Sequence, residues 1–335
     1  MPLILGRDNV LAVYRQAAER GWVLPAFNAE NLTSIEAILS AARELGAARG
    51  QPDLPIITGL TRKYDHRSQA AFYTHTRDAQ LGLELFMADL RVLTGPGSPF
   101  ADLQVLVHLD HIQWDADQDW LETADLGAFS SIMYDASTLP FDENIARTRA
   151  FMERAGDTLL VEGACDEIGE AAAGQPMQLT SPEMAERYAR ETGVDILVAN
   201  LGTEHRAGAA DLHYHGDLAR AIRARVGPRI CLHGTSSVPP AQVRGLFADG
   251  VCKVNIWTAI ERDSTPTLLR DMLAHAGRVV GPQRAAAWHD EGLLGPAADL
   301  AGPLALSHYT TVYRQDLVFA HMKRIVREFL ELWYT

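Results

Sequence analysis

The chain has 335 residues, 47% of them hydrophobic, enough for one large domain or two modest ones with a proper core. Its formal net charge of −13 argues against a nucleic-acid partner, which needs a basic face, and against an anionic membrane surface. Cys165, Cys231 and Cys252 are too few and scattered for a disulfide framework or an all-cysteine zinc site, and no signal peptide or membrane-length apolar run is visible, so a cytoplasmic setting is expected.

Strand-type apolar runs alternate with amphipathic helical segments up to about residue 275. The first run, "WVLPAFN" (22–28), leads to the helix pattern "NLTSIEAILSAARELG", capped by Asn31. There follow "LPIITGL" (54–60), "LQVLVHLD" (103–110), "FSSIMYD" (129–135) and "DTLLVEGA" (157–164). Next comes the helix "SPEMAERYARETG", in which Ser181 caps, Pro182 opens and Gly193 ends the helix. The last strands are "VDILVAN" (194–200), "PRICLHG" (228–234) and "VCKVNI" (251–256). Near-continuous apolar strands between helices predict a parallel sheet covered on both faces. Eight units favour an α/β fold of the (β/α)8 (TIM) barrel type over an open sheet, and no G-x-G-x-x-G supports dinucleotide binding. Residues 278–314 break the alternation and read as an insertion, a lid or a subunit contact, before the terminal helix of a single 1–335 domain.

In such a barrel the C-terminal strand ends converge on one face. The polar residues there are Asn28, Thr61, Asp110, His111, Asp135, Glu162, Asn200, His205, His233 and Asn255. Any one of these histidines alone would be a loop or core residue, but His111, His205 and His233 at three consistent strand ends form a set able to hold one ion with a vacant position. Asp110 would then serve as a proton-transfer group or support a ligand. His213 and His215 fall at a helix start and read as surface, His108 as core, and Cys231 and Cys252 as small core residues.

The motifs "PAFN", "HLDH", "SIMYDASTLPFDENI", "TGVDILVANLGTEH", "LHG" and "KVN" occur in an order and spacing that resemble the class II, metal-dependent fructose-bisphosphate and tagatose-bisphosphate aldolases, from "VLPAFNAENL" through "VCKVNIWTAI". The resemblance implies zinc or another divalent ion on His111, His205 and His233, with Asp110 as the proton-transferring aspartate. It implies substrate contacts from Asn28 and Asn255, with Thr61, Arg206, Gly234, Ser236 and Thr258 beside them. Asp135, and with it Glu162, would stand near a second metal position or support the first, and a monovalent cation fits the same picture. Small-molecule ketose and aldehyde substrates are expected, as is a homo-oligomer, dimer or tetramer.

The departures from that pattern concentrate around the phosphate. The family's glycine after the second zinc histidine is Arg206, its "HGGSG" reads "HGTSS", and Trp257 and Ala259 occupy positions that are often polar. Side chains in place of glycines crowd the backbone N–H groups that cradle an anion. Arg206, Arg62 or Lys63 could restore an anion site through side chains. Ala164 replaces the second glutamate of V-E-x-E, which weakens the second metal position alone.

The resulting expectation is an aldolase that works through a metal-stabilised enediolate, with altered phosphate specificity; Glu162 and Glu170 are lesser candidates for proton handling. A Schiff-base aldolase would need a lysine at a strand end, and Lys253 is the one well placed. A non-catalytic partner subunit is the remaining alternative, supported by the altered phosphate loop.

Overall fold

The computed structural model describes residues 3–166, 179–203 and 213–335, with Ser237 described by its backbone alone. All eight expected strands form: β1 Leu24–Asn28, β2 Pro55–Thr61, β3 Gln104–Gln113, β4 Ser131–Asp135, β5 Leu160–Ala164, β6 Ile196–Val198, β7 Ile230–Leu232 and β8 Val251–Ile256. Each pairs in parallel with its neighbour in the chain, and β8 pairs with β1, so the sheet closes into a barrel. Closure leaves no sheet edge and buries the strands on both sides, which is why they read as continuous apolar runs. β6 and β7 are shorter than their apolar runs because burial continues past the last ladder bond: Asn200 and His233 lie beyond the strands and remain buried.

The two helices with capping signals in the sequence begin where those signals stand. In Leu32–Arg49 the Asn31 side chain accepts from the Ser34 amide while the Ser34 hydroxyl bonds back to Asn31. That helix runs past Gly46, where the sequence reading ended it, to a left-handed cap at Gly50. Gly46 serves packing: a Cβ there would meet the Gln51 carbonyl oxygen at 2.5 Å. Ser181, Pro182 and Gly193 begin and end Pro182–Thr192 as expected.

Beyond β8, the helix Thr258–Ala274 is followed by the short helices Ala276–Val280, Pro282–Asp290 and Leu306–Tyr309, and then by Thr311–Trp333. Ala276, Ala285 and Leu294 form a small apolar cluster apart from the barrel core. The long terminal helix packs against Leu32–Arg49 and Thr258–Ala274. Its end locks onto the N-terminal rim of the barrel: Tyr334 stacks on Trp22 at 4.7 Å and its hydroxyl donates to the Pro55 carbonyl at 3.0 Å. This contact belongs to stability, since chemistry in such barrels sits at the opposite rim. No helix among the described residues is long and apolar enough to cross a membrane.

Candidate active site

The opposite rim is built around the end of β3. Asp110 and His111 occupy a register shift between Leu109 and Ile112 in the β3–β4 ladder, and His111 has φ 46°, a left-handed conformation uncommon outside glycine. The bulge re-aims the imidazole, and such strain gathers at functional sites. Three contacts fix the ring. His111 Nδ1 lies 2.7 Å from Asp135 Oδ2, Tyr64 stacks parallel on it at 4.2 Å, and the His233 ring meets it edge-on at 5.0 Å. Asp135 is held in turn by the Ser137 hydroxyl at 2.6 Å and the Ser137 amide at 3.1 Å. Burial drives the Asp135 carboxyl upward, but the bond and charge of His111 and the Ser137 donors outweigh it and bring it to about 2. Burial likewise lowers His111, yet Asp110 and Asp135 outweigh it and raise the imidazole above its ordinary value.

Both oxygens of Asp110 are occupied by amides. Asn28 Nδ2, from the end of β1, donates to Oδ2 at 2.7 Å, and Asn255 Nδ2, from β8, donates to Oδ1 at 2.8 Å. Burial pushes this carboxyl up, but the imidazoles of His111, His108 and His233 outweigh it and hold it well below the usual carboxylate range. Beneath Asp110 lies a buried polar network. The Lys253 Nζ sits 2.9 and 3.0 Å from the two Glu162 oxygens, 3.2 Å from His108 Nε2, and donates to Asn255 Oδ1. Burial lowers Lys253, but Cys231, Glu162 and Asp110 around it prevail and raise it, so it stays an ammonium. His108 Nδ1 meets the Ser131 hydroxyl at 2.8 Å, which makes that nitrogen the protonated one when Nε2 accepts from the ammonium.

The donor set suits a divalent ion. Ligand atoms of Asp110, His111 and His233 lie within 4.8 Å of one another, all buried. With Nδ1 committed to Asp135, His111 presents Nε2, the arrangement by which a carboxylate orients a metal-ligating imidazole. Glu162, Cys231 and His233 form a second such group, but Glu162 and Cys231 already face the Lys253 ammonium at 2.9 and 3.8 Å, which repels a cation.

A cavity of about 560 Å³, its mouth included, opens over Asp110 and His111. Asn28, Thr61, His233, Gly234, Ser236, Asn255 and Thr258 line it, so these expected residues converge. The Thr61 hydroxyl is spent on its loop, donating to the Arg67 carbonyl and accepting from the Gln69 amide at 3.0 Å. Asp135 lies behind His111 and belongs to neither ligand group, while Glu162 is the counter-ion of Lys253. Asn200 accepts from the Gly202 amide at 3.1 Å and so shapes a loop. His205, Arg206 and Glu170 lie outside the described residues.

The two other anion-binding suggestions are corrected. Arg62 is buried, pairs with Asp117 at 2.6 Å and packs over Trp120, so it is a structural cation; Lys63 is exposed and does not line the cavity. Among the described residues the cation on the wall is Arg67, held by both oxygens of Glu30 at 2.7 and 2.5 Å. Sequence reasoning also missed Tyr64 and His66 on the wall, and took His108 for plain core. The signal for the buried network was parity: His108 and Asp110, like Lys253 and Asn255, are two apart and face the same side of their strands. Lys253 is fully buried in its ion pair and does not line the cavity, which is unfavourable for a Schiff-base nucleophile.

A family model described as "Fructose-bisphosphate aldolase class-II" matches residues 8–299. The D-tagatose-1,6-bisphosphate aldolase subunit GatY of Klebsiella oxytoca is 27% identical over 266 residues, 77% of this chain and 82% of that protein. The fructose-bisphosphate aldolase of Treponema pallidum is 31% identical over 266 residues, 72% of each chain. Among solved structures, fructose-bisphosphate aldolase from Campylobacter jejuni superposes with a TM-score of 0.71 at 17% identity, covering 99% of this chain and 95% of the other. The YdjI aldolase from Escherichia coli K12 gives 0.64 at 17% identity, covering 96% and 94%, and at this identity both likenesses speak to the fold alone. With the barrel and the family match in agreement, the chain belongs to the class II fructose-bisphosphate aldolase family, the aldehyde-lyases that make and break carbon–carbon bonds.

Proposed function

We propose that the protein is a metal-dependent aldolase for a ketose or ketose-phosphate substrate, with a remodelled phosphate subsite. The observation that carries the reading is the pairing of Asp110, clamped by two amides, with an adjacent imidazole whose far nitrogen is tied to Asp135. His111 and His233, with His205 as the third, would hold the divalent ion, and zinc is the first choice for an imidazole set. When bound, the ion supplies Lewis-acid polarisation of the ketone and adjacent hydroxyl oxygens. Asp110 takes the proton from the hydroxyl one carbon beyond the bond that breaks. That carbon leaves as an aldehyde, and the electron pair stays with the donor fragment. Asn28 and Asn255 keep the carboxylate oriented and anionic before it receives that proton. In the synthetic direction Asp110 returns the proton to the new hydroxyl.

Three features support altered handling of the phosphate. Trp257 lines the cavity, and among the described residues its buried Nε1–H has no acceptor. Thr235 and the following serines form a short turn where the related pattern has glycines. Arg67 is already neutralised by Glu30, and the half-buried Glu261 is close enough to feel both charges. A homo-oligomer, with the 278–314 segment as lid or subunit contact, belongs to the same reading.

The test is retro-aldol cleavage of a panel of ketoses, ketose monophosphates and ketose bisphosphates, each with and without EDTA and each challenged with borohydride. Cleavage abolished by EDTA, restored by zinc and untouched by borohydride is the expected result. Covalent trapping by borohydride with indifference to EDTA would refute it.

A further inference from the structure

We infer that Lys253 is a positioning residue for the aldol step: from beneath the site, it fixes the Asn255 carboxamide so that its N–H, never its carbonyl, faces Asp110. The inference rests on the proposed proton-transfer role of Asp110. It follows from the donor and acceptor capacities of three groups in a row. An ammonium has only hydrogens to give, so the Asn255 atom facing Lys253 must be the carbonyl oxygen Oδ1. The opposite end of the same planar amide is then Nδ2, 2.8 Å from Asp110 Oδ1, and a carboxylate can only accept. The lysine and the carboxylate thus impose the same polarity on the amide from its two ends. Without the lysine, Asp110 alone holds the amide, and the Asn255 side chain is free to swing and lose the alignment of its N–H with the carboxylate.

The lysine is itself held immobile. It is fully buried, like Glu162 and His108, and those two side chains with Asn255 surround its Nζ. Glu162 supplies the opposite charge that makes a buried ammonium tolerable, and His108, with its proton on the Ser131 side, accepts a further hydrogen. No member of this row other than Asn255 and Asp110 lines the cavity. Lys253 thus acts through Asn255, without touching substrate.

The experiment compares the wild type with Lys253→Met and with the double variant Lys253→Met, Glu162→Gln. The double variant removes both charges together, so no lone buried carboxylate threatens folding. Three measurements are made with zinc-loaded protein: bound zinc per chain, steady-state kinetics (kcat and KM) for cleavage of the best substrate in the panel, and exchange of the α-protons of dihydroxyacetone phosphate or dihydroxyacetone with D2O. That exchange takes place at the donor carbon and does not use the hydroxyl proton that Asp110 handles. The expected result is a roughly 100-fold lower kcat, with zinc content and donor exchange within about threefold of wild type, as for loss of an aligned proton-transfer group. A kcat within about threefold of wild type would overturn the inference. So would a parallel loss of zinc, exchange and kcat, which would mark a purely structural lysine. Borohydride trapping at Lys253 in the wild type would replace it with a covalent role. Absence of both cleavage and exchange in the wild type would overturn the aldolase reading itself and this inference with it.

Discussion

Replacing Asp135 by asparagine keeps the shape of the side chain and removes its charge from the back of His111. Asp135 Oδ2 meets His111 Nδ1 at 2.7 Å and also accepts from Gln113 Nε2 at 3.1 Å. The carboxyl sits at about 2 against an ordinary 3.8, and that difference corresponds by linkage to about 2 kcal/mol of preference for the anion in the folded protein. The folded value is depressed, so this stability is present above the unfolded value near 3.8 and is lost as pH falls toward 2. Asp135→Asn should therefore unfold about 2 kcal/mol more easily at pH 7, with the deficit almost unchanged at pH 5. The same charge makes the Nε2 of His111 a better ligand, and losing a carboxylate behind a metal-bound imidazole typically costs 10–100-fold in affinity. Competition with a calibrated chelator at pH 7.5 should show zinc held about 30-fold more weakly, with activity recovered at higher zinc. Unchanged zinc affinity together with unchanged stability would refute the argument that Asp135 works through His111.

Asp110→Asn should leave zinc bound and lower cleavage by about 10²–10⁴-fold, read by steady-state kinetics beside metal analysis; wild-type turnover would remove Asp110 from the mechanism. Glu261 is pushed up to about 7 by burial and by the nearby Glu30, with Arg67 offsetting part of the effect, and its buried Oε1 has no hydrogen-bond partner among the described residues. A raised carboxyl binds more protons folded than unfolded between about pH 4.5 and 7, so its burial costs stability as pH rises through that window. Glu261→Gln should raise the Tm relative to wild type at pH 8 by an amount equivalent to about 3 kcal/mol, and by almost nothing at pH 4.5. An equal Tm difference at both values would contradict the shift. Because His111 must lose a proton to ligate and its value is raised, zinc affinity measured by calorimetry should fall as pH drops from 8 to 6, starting above the ordinary 6.5.

The barrel was legible because strand-type apolar runs of the right length alternate with helical segments, two of them with readable caps at Asn31 and Ser181, and eight such runs leave little choice of architecture. The site was legible where it depended on strand ends: Asn28, Asp110, His111, His233 and Asn255 come together because parallel strands deliver their termini to one rim. What lay outside reach depended on side-chain reach and loop path. Nothing local distinguishes Arg62, which turns to the buried Asp117, from Arg67, which folds back over the cavity to Glu30. The stacking of Tyr64 on His111 joins a loop to a bulge that no periodicity announces. Lys253 stayed open as the alternative Schiff-base lysine because sequence shows neither Glu162 nor His108 beside it.

The most direct test of the central claim is proton NMR in D2O with dihydroxyacetone phosphate and, separately, dihydroxyacetone, each with and without EDTA. It reports carbanion formation at the donor carbon without requiring the unidentified aldehyde. The expected result is loss of the α-proton signal for at least one donor, stopped by EDTA and restored by zinc, and the preferred donor reports whether the phosphate subsite is remodelled. Exchange indifferent to EDTA, or none with either donor, would contradict it.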